Sequence, residues 1–244
     1  MNSAEYAKLA KIEDAHWYYA GKRQIVRHWL RACGPPQPDH LLLDCGAGTG
    51  RFAKEIEAEC RVMVLDDHEE SLAFLRAGFK EEQILTLSGD RVPLPDDSVN
   101  YLTALDVLEH VPDDVAVVDG FHRLLKAGGV AVITVPAGMA LWSDWDVVLH
   151  HHRRYSRNQL RILFPAERWH IEYVNYTNVL AYPMVWLLRK WRSWFPTGSG
   201  TERAEDRIPS RPLNFILQRS FVALARWRVS FPFGVSLLLV ARKK

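Results

Sequence analysis

The sequence lacks the features that mark secreted, membrane-spanning or metal-stabilised proteins. Its 244 residues include three cysteines, Cys33, Cys45 and Cys60, without the CxxC spacing of redox and zinc motifs. A disulfide framework is therefore excluded, and a reducing cytoplasm is the expected location. The N-terminus has no basic segment followed by an apolar run, so no secretory leader is predicted. No apolar stretch approaches the roughly 18 residues that cross a bilayer.

The composition is that of a folded protein with an uneven charge distribution. Hydrophobic residues make up 48% and charged residues 25% of the chain, and no repeat period indicates a collagen-like or solenoid architecture. The net charge is +2, but from Trp186 onward there are twelve Lys and Arg against three Asp and Glu, and the preceding part is acidic. A basic C-terminal part is typical of a surface that meets lipid head groups, phosphate or nucleic acid, although a solvated basic face explains it equally well.

Short apolar runs alternate with helical patterns between residues 40 and 176. The predicted strands are 41–45, 61–65, 83–87, 100–104, 130–135 and 171–176, with a last short strand at 235–241. The predicted helices between them are 51–58, 69–77, 115–125 and 157–163. Because strands that alternate with helices pair in parallel through crossovers, the pattern predicts an α/β fold with helices on both faces of one sheet.

The chain is predicted to form a single domain with two helical additions. Residues 1–36 form an N-terminal helical cap, 37–176 the core, 177–234 a helical insertion, and 235–244 the last strand and tail. The cap is expected to hold one or two helices within residues 4–31. The insertion is predicted to contain a helix at 179–194, a linker at 196–212 and a second helix at 213–229.

A glycine-rich loop follows the first predicted strand. The segment LLLDCGAGTGRF places Gly46, Gly48 and Gly50 at the spacing GxGxG, which differs from the GxGxxG of dinucleotide sites. Glycines admit backbone dihedrals that other residues avoid, and the amides that open a helix can face a ligand. Asp44 precedes this loop, and a carboxylate there favours a cation over a pyrophosphate. Asp66 ends the second strand, where βαβ sites bind ribose hydroxyls.

With four further segments, the sequence resembles the class I S-adenosylmethionine-dependent methyltransferases. The segments are SGDR at 88–91, LPDDS at 94–98, LDVLEHV at 105–111 and LLKAGG at 124–129. The resemblance implies a Rossmann-like fold with a seven-stranded, mostly parallel sheet whose last strand is antiparallel. It also implies S-adenosyl-L-methionine as the cofactor and S-adenosyl-L-homocysteine as its product.

The resemblance assigns a set of residues to the cofactor. The glycine loop would wrap the methionine portion through Gly46, Ala47, Gly48, Thr49 and Gly50. Asp44 would lie near the ammonium group, and Asp66 would accept hydrogen bonds from both ribose hydroxyls. Asp90 would bind the adenine amino group and the backbone of Arg91 a ring nitrogen. Leu105 and Asp106 would line the floor beneath the sulfonium.

The segment HWYYAGKR at 16–23 also resembles a subgroup of these enzymes, in which an aromatic-rich helix closes over the cofactor. There Trp17 and Tyr19 would cover the cofactor, and Arg23 would pair with the methionine carboxylate, since guanidinium suits a bidentate contact. In the alternative interpretation, the two aromatic residues anchor the helix to the sheet and Arg23 is solvated.

The segment after the fifth strand resembles a prokaryotic subgroup with an H-x-R-R-Y pattern, matched by His151, Arg153, Arg154 and Tyr155. Ligands in open α/β sheets bind beyond the carboxyl ends of the strands, so Trp142, Arg154 and Tyr155 are predicted to contact the acceptor. The three consecutive histidines from residue 150 cannot easily converge on one ion, and no metal is predicted.

A hydroxyl or phenol acceptor would benefit from a general base, whereas a carboxylate acceptor would need none. His110 and His151 are the candidates, because histidine titrates near neutral pH, and Asp106 is able to orient either of them. A packed or surface position is the alternative for each histidine.

The predicted function is methyl transfer from S-adenosylmethionine to a small-molecule acceptor, with lipid- or glycan-linked acceptors included and O-, N- and C-methylation all open. Residues 179–194 combine apolar residues with Arg189, Lys190 and Arg192, which is typical of a helix at an anionic membrane surface, although packing on the sheet or on a partner is the alternative. The location would then be cytoplasmic and peripheral to the inner membrane face. The other candidates are a non-catalytic adenosyl-binding or membrane-associated protein and a nicotinamide-dependent oxidoreductase. A nucleic acid methyltransferase is less favoured.

Overall fold

The alternating apolar segments form one twisted sheet of seven strands in the order β3-β2-β1-β4-β5-β7-β6. The computed structural model describes residues 3–194 and 207–244, with side chains for residues 5–191 and 207–244. The strands are β1 Leu41–Cys45, β2 Arg61–Leu65, β3 Ile84–Leu85, β4 Val99–Leu105, β5 Leu125–Pro136, β6 Trp169–Thr177 and β7 Ser236–Lys243. All pairs are parallel except those of β7, which runs antiparallel to β5 and to β6. The predicted α/β fold with an antiparallel last strand is confirmed.

The helices cover both faces of the sheet. They are α1 Ser3–Ile12, α2 Trp17–Ala32, α3 Arg51–Ile56, α4 Glu69–Gly78, α5 Asp114–Leu124, α6 Asp144–Val148, α7 Arg157–Ile162, α8 Tyr182–Trp194 and α9 Arg211–Arg226. Alternate strand residues point to opposite faces, so Leu42 packs in the core under α2, α3, α4 and α9, while Leu43 packs under α5 and α7. The polar ends of the parallel strands are thereby left at one edge of the sheet.

The N-terminal cap consists of two helices, within the range that the sequence predicts. A break at residues 13–16 separates them, and the His16 side chain caps α2 by accepting from the Tyr18 amide. α2 packs along α9, and the space between them is so narrow that a Cβ on Gly21 would lie 2.8 Å from the Phe221 ring. The cap is therefore fastened to the insertion as well as to the sheet.

The insertion contains the two predicted helices, while most of the predicted linker at 196–212 lies outside the described residues. α8 turns Val185 and Arg189 toward the protein, and the Arg189 guanidinium donates to the Leu141 carbonyl and lies 3.7 Å from Asp146. The prediction that Arg189 faces lipid head groups is therefore wrong. The Arg192 side chain lies outside the described part. Across residues 3–194 and 207–244, every helix is too short or too polar to cross a bilayer.

Two details differ from the sequence prediction. β3 has two residues instead of five, because the chain enters a tight turn between Ser88 and Arg91 soon after it. α6 was not predicted, and it forms because Ser143 and Asp146 close a capping box around its short first turn.

Candidate cofactor and acceptor site

The glycine loop at the end of β1 has the backbone that the sequence indicates. Gly46, Gly48 and Gly50 have φ values of 64°, 60° and 74°, in the left-handed region. A Cβ would lie 2.6 Å from Val107 at Gly46 and 2.5 Å from Phe79 at Gly50, so both positions have no room for a side chain. At Gly48 the nearest atom is 3.8 Å away, which leaves the backbone open on its outer side. The middle of the loop can therefore accept a ligand at close range.

Asp66 joins the end of β2 to this loop. Its carboxylate is buried and accepts hydrogen bonds from the backbone amides of Gly48, Asp67 and His68, at 3.0, 3.0 and 3.1 Å. These three donors fix the carboxylate beside the open face of Gly48, at the end of β2 where a contact with the ribose is predicted. The contact with ribose stays a prediction, but the position required for it is present.

Asp44 is 2% exposed at the end of β1 and accepts a 2.6 Å hydrogen bond from the Thr103 hydroxyl. Burial raises its pKa to about 7, and the nearby Asp66 charge adds to the shift, while the Thr103 hydrogen bond and Lys22 oppose it. A buried carboxylate in this state is stabilised by a neighbouring cation. The site is thus suited to a positively charged group such as an ammonium.

Thr49 and Ala47 complete the loop in different ways. The Ala47 amide donates to the Leu65 carbonyl at 3.1 Å, which ties the loop to β2. The Thr49 hydroxyl donates to the Glu13 carboxylate at 2.9 Å, and burial raises the pKa of Glu13. Glu13, in the break between α1 and α2, was not predicted as a site residue, because the segment around it carries no motif that indicates such a role.

Asp90 and Arg91 lie at the exposed tip of the turn after β3. The backbones of Ser88 and Arg91 pair across this turn, and the Arg91 side chain donates to Asp96 at 3.2 Å. A turn that presents Asp90 to solvent is compatible with the predicted contact to adenine, which stays a prediction.

Asp106 has a different set of partners from the one predicted. It follows β4 and Leu105 with a φ of 59°, and it accepts 2.7 and 2.9 Å hydrogen bonds from Lys22 Nζ and the Thr134 hydroxyl. The charge of Lys22 lowers the pKa of Asp106 against the effect of burial. Because its two oxygens are engaged in this way, Asp106 does not orient His110 or His151 as proposed from the sequence. Lys22 was missed as a site residue, although it lies within the recognised segment.

The aromatic segment of α2 anchors the cap to α9. The Trp17 amide donates to the Asn214 side chain at 2.9 Å, and its ring meets Phe221 edge-on at 5.7 Å. Tyr19 contacts the rings of His16 and Tyr18. The anchoring interpretation fits these contacts, with α9 as the main partner in place of the sheet, and a role in covering the cofactor stays a prediction.

Arg23 is buried, so the interpretation of a solvated side chain is wrong. Its guanidinium donates to Glu55 and to the Glu13 carbonyl, both at 2.8 Å, and lies 3.4 Å from Asp14. These three partners each engage one guanidinium nitrogen, and a contact with a methionine carboxylate stays a prediction. The structure therefore assigns Arg23 to fixing the break between α1 and α2 against α3.

His110 and His151, the two candidate bases, lie next to each other in the structure, a proximity that the sequence did not predict. Their rings are 4.7 Å apart and nearly perpendicular. His151 Nδ1 lies 2.9 Å from the Asp146 carboxylate, so Asp146 is the residue that orients this histidine. Burial is the main cause that lowers the pKa of His110 to about 4, which keeps its imidazole neutral near pH 7. Whether either histidine acts as a base stays a prediction.

The structure corrects the assignment of Arg154 and Tyr155 to the acceptor. Arg154 is buried, and it donates to Asp146 at 2.7 Å and to the Ala137 carbonyl at 3.3 Å. The buried Tyr155 hydroxyl lies 3.0 Å from the Leu108 carbonyl and 2.7 Å from Asp114. Both side chains therefore hold the segment between β5 and α7 to the rest of the protein. Trp142 is half-buried ahead of α6, and its contact with an acceptor stays a prediction.

Comparison with known proteins identifies this arrangement. The sequence profile of the family described as "Methyltransferase domain" matches residues 43–133, which contain β2 to β4, the glycine loop and most of β1 and β5. A probable S-adenosylmethionine-dependent methyltransferase of Mycolicibacterium smegmatis is 29% identical over 163 residues, covering 66% of this chain and 62% of that protein. Residues 43–133 therefore match a methyltransferase domain, and the chain is similar to S-adenosylmethionine-dependent methyltransferases over about two thirds of its length. The H-x-R-R-Y subgroup stays a prediction.

Two further proteins are similar to this chain, one in sequence and one in fold. The chloroplastic 2-methyl-6-phytyl-1,4-hydroquinone methyltransferase of Arabidopsis thaliana is 25% identical over 191 residues, covering 70% of this chain and 53% of that protein. A Haloferax volcanii putative methyltransferase, solved with the Trm112 activator, has a TM-score of 0.62 at 19% identity, covering 98% of this chain and 95% of that chain. The chain spans little more than half the length of the Arabidopsis protein and about three fifths of the length of the Mycolicibacterium protein.

The residues around the glycine loop fit S-adenosylmethionine, the cofactor of the similar methyltransferases. The molecule carries an ammonium and a sulfonium, and the loop is surrounded by the buried carboxylates of Glu13, Asp44 and Asp66. The open backbone at Gly48 admits close contact, while Gly46 and Gly50 keep the loop in shape. Asp44, Gly48 and Asp66 are therefore the residues that would hold the cofactor.

Proposed function

We propose that this protein transfers the methyl group of S-adenosylmethionine to a small-molecule acceptor bound beyond the carboxyl ends of β4 and β5. The observation that carries the proposal is the pair of buried carboxylates, Asp44 at the end of β1 and Asp66 at the end of β2, the second of which is bonded to the Gly48 amide of the open glycine loop. Such a pair favours a cationic nucleoside over a nucleoside phosphate, because a phosphate would repel both carboxylates.

The chemistry requires mainly positioning. The cofactor supplies a methyl carbon bonded to a positively charged sulfur, and the leaving group is therefore a neutral thioether. Asp44 and Asp66 would hold the two ends of the cofactor, and the Lys22–Asp106 pair fixes the end of β4. The acceptor's lone pair then forms the new bond to carbon as the carbon–sulfur bond breaks, and aligning the two reactants supplies most of the rate enhancement.

The acceptor is proposed to be a lipid or a lipid-linked molecule met at an anionic membrane surface. The outer side of α8 exposes Met184 and Leu187, and the start of α9 exposes Phe215 and Ile216, each by about 60%. Apolar side chains so exposed suit an interface with lipid, and the basic residues of this part of the chain suit anionic head groups. The prenylated hydroquinone in the name of the Arabidopsis relative supports a lipid acceptor.

Transfer of isotopically labelled methyl from S-adenosylmethionine into a cell extract tests the proposal. The products are separated into lipid, aqueous, protein and nucleic acid fractions, and label is expected in the lipid fraction. Label in the aqueous fraction alone would retain methyl transfer and refute the lipid acceptor. Binding of the cofactor without label in any fraction would favour a non-catalytic adenosyl-binding protein.

A variant pair tests the cofactor site itself. Asp66→Ala removes a buried charged acceptor, and we expect S-adenosylmethionine to bind more weakly by the ~1.5–3 kcal/mol typical of hydrogen bonds to charged groups. Asp67→Ala is the matched control, because its side chain is exposed and its amide contact with Asp66 is retained. Calorimetric titration of both variants measures the difference, and an unchanged affinity in Asp66→Ala would contradict the ribose assignment.

A further inference from the structure

Three potential metal ligands meet on the acceptor side of the molecule. Glu109 and His110 belong to the short 3₁₀ turn Leu108–His110 after β4, and His151 follows α6. One ligand atom from each, a carboxylate oxygen and two imidazole nitrogens, lie within 4.8 Å of one another. We call these three residues the His–Glu cluster. A second contact holds its two segments together, because the His152 amide donates to the Glu109 carbonyl at 2.7 Å.

Glu109 is the unusual member of the His–Glu cluster. Its side chain is 1% exposed, and neither carboxylate oxygen has a hydrogen-bond partner among the described residues. Buried carboxylates are normally paired or bound to a metal, because an isolated buried charge is strongly unfavourable. The nearby Lys22 does not neutralise it, since its ammonium is 2.7 Å from Asp106.

His151 is already oriented as a metal ligand would be. Its Nδ1 faces the Asp146 carboxylate at 2.9 Å, so the ring donates there and Nε2 is left as the acceptor nitrogen. Asp146 is itself held by Arg154 at 2.7 Å and by the Ser143 amide at 2.9 Å. A carboxylate behind a ligating histidine is the usual outer shell of a metal site, where it fixes the tautomer and the ring orientation.

We propose that Glu109, His110 and His151 bind one divalent transition-metal ion, with Zn²⁺ the best match. Two imidazoles and one carboxylate form the ligand set of catalytic zinc sites, which leave a fourth position open. Magnesium is disfavoured because it prefers oxygen ligands. Bonds of about 2.0–2.2 Å in tetrahedral geometry require donor separations of about 3.3–3.5 Å. The Glu109 side chain can supply the small movement needed, since no hydrogen bond restrains it.

The role of the ion rests on the proposed function. A metal at the His–Glu cluster would bind the hydroxyl oxygen of an acceptor in its open position and lower the pKa of that hydroxyl. The proton leaves to solvent, the resulting oxyanion forms the oxygen–carbon bond, and the carbon–sulfur bond breaks to release neutral S-adenosylhomocysteine. His110 and His151 then act as ligands, and no histidine base is required.

Metal content measured on the full chain without S-adenosylmethionine tests binding separately from methyl transfer. The protein is stripped with a chelator, loaded with Zn²⁺ or Co²⁺ and dialysed, and the metal is counted by mass spectrometry. We expect one equivalent of Zn²⁺ per chain and the visible absorption of tetrahedral Co²⁺. Wild-type protein that retains less than a tenth of an equivalent would overturn the proposal.

Three variants separate this site from the neighbouring histidines. Glu109→Gln and His151→Ala are expected to weaken Zn²⁺ binding by at least tenfold, and Glu109→Gln keeps the shape of the buried side chain. His152→Ala is the matched control, since its side chain is exposed and only its backbone contacts Glu109. Equal loss in His152→Ala would show adventitious binding by the surface histidines. Equal methylation rates in stripped and loaded protein would refute the catalytic role of the metal while leaving methyl transfer established.

Discussion

The raised pKa of Asp44 predicts that cofactor binding depends on pH in a measurable way. The carboxyl is buried, and its pKa is about 7 in the unligated protein. An ammonium placed beside it would favour the ionised form and lower this pKa. Binding of S-adenosylmethionine near neutral pH should therefore release a proton from Asp44, and affinity should rise with pH until the carboxyl is fully ionised.

The magnitude follows from the ionised fraction of the free protein. For a pKa of about 7, that fraction is about 0.03 at pH 5.5 and about 0.76 at pH 7.5. If the ionised form binds, affinity increases about 25-fold between these two pH values, which corresponds to about 1.9 kcal/mol. At pH 7 about half a proton should be released per cofactor bound.

Isothermal titration with S-adenosylmethionine in buffers of different ionisation enthalpy measures both the affinity and the protons released. Asp44→Asn is the control, because the amide retains an acceptor for the Thr103 hydroxyl but has no charge to titrate. Its affinity should be nearly independent of pH over the same range. A flat profile in the wild-type protein, or the same slope in both proteins, would refute the assignment of Asp44 to the ammonium.

The stability of the unligated protein should change in the opposite direction. Because the folded-state pKa lies above the ordinary value of 3.8, the contribution of Asp44 to stability is fully present below that value. It is lost as the pH rises through about 7. Urea unfolding at pH 5 and pH 8 should therefore show a larger loss in the wild-type protein than in Asp44→Asn.

Two further predictions concern the loop and the acceptor segment. Gly50→Ala should destabilise the protein by about 2–5 kcal/mol, because the new Cβ would be strained by the left-handed backbone and would lie 2.5 Å from Phe79. Urea unfolding measures the loss. Gly89→Ala is the control, because Gly89 is also left-handed but has open space around it, so the difference between the two variants isolates the steric part. A difference near zero between the two variants would contradict the packing of the loop. Tyr155→Phe should cost about 1–3 kcal/mol because it removes the buried hydroxyl beside the Leu108 carbonyl and the Asp114 carboxylate, with unchanged cofactor affinity and an unchanged KM for the acceptor. A raised KM at unchanged stability would restore Tyr155 to acceptor binding.

The cap helices couple the cofactor site to the insertion. Glu13 contacts Thr49 of the glycine loop, Lys22 contacts Asp106 at the end of β4, and Trp17 contacts Asn214 of α9. The break before α2 therefore contacts the glycine loop, while α2 itself contacts the end of β4 and α9. A change in the position of α9 would be transmitted to the site through α2.

The sequence by itself determined the fold and the cofactor loop. The alternation of apolar strands and amphipathic helices depends on neighbours in the chain, and it predicted β1 and β2 to the residue. The conformation of the GxGxG loop could also be predicted from the local sequence, because glycine readily adopts the positive φ angles that occur three times in this short segment. The acids at the strand ends could be placed beside it, since parallel strands bring their carboxyl ends to one edge of the sheet.

Only the tertiary structure decided the partners of the buried polar groups. Lys22 and Asp106 are 84 residues apart, and Arg23 and Glu55 are 32 residues apart, so no local pattern could reveal either pair. Arg154 and Tyr155 looked like ligand contacts because they are polar and lie near the acceptor edge, yet both are buried against backbone carbonyls and carboxylates. A buried polar group must be paired, and the partner depends on which segments the fold brings together. The same packing brought Glu109 to two histidines, which the order of residues along the chain does not indicate.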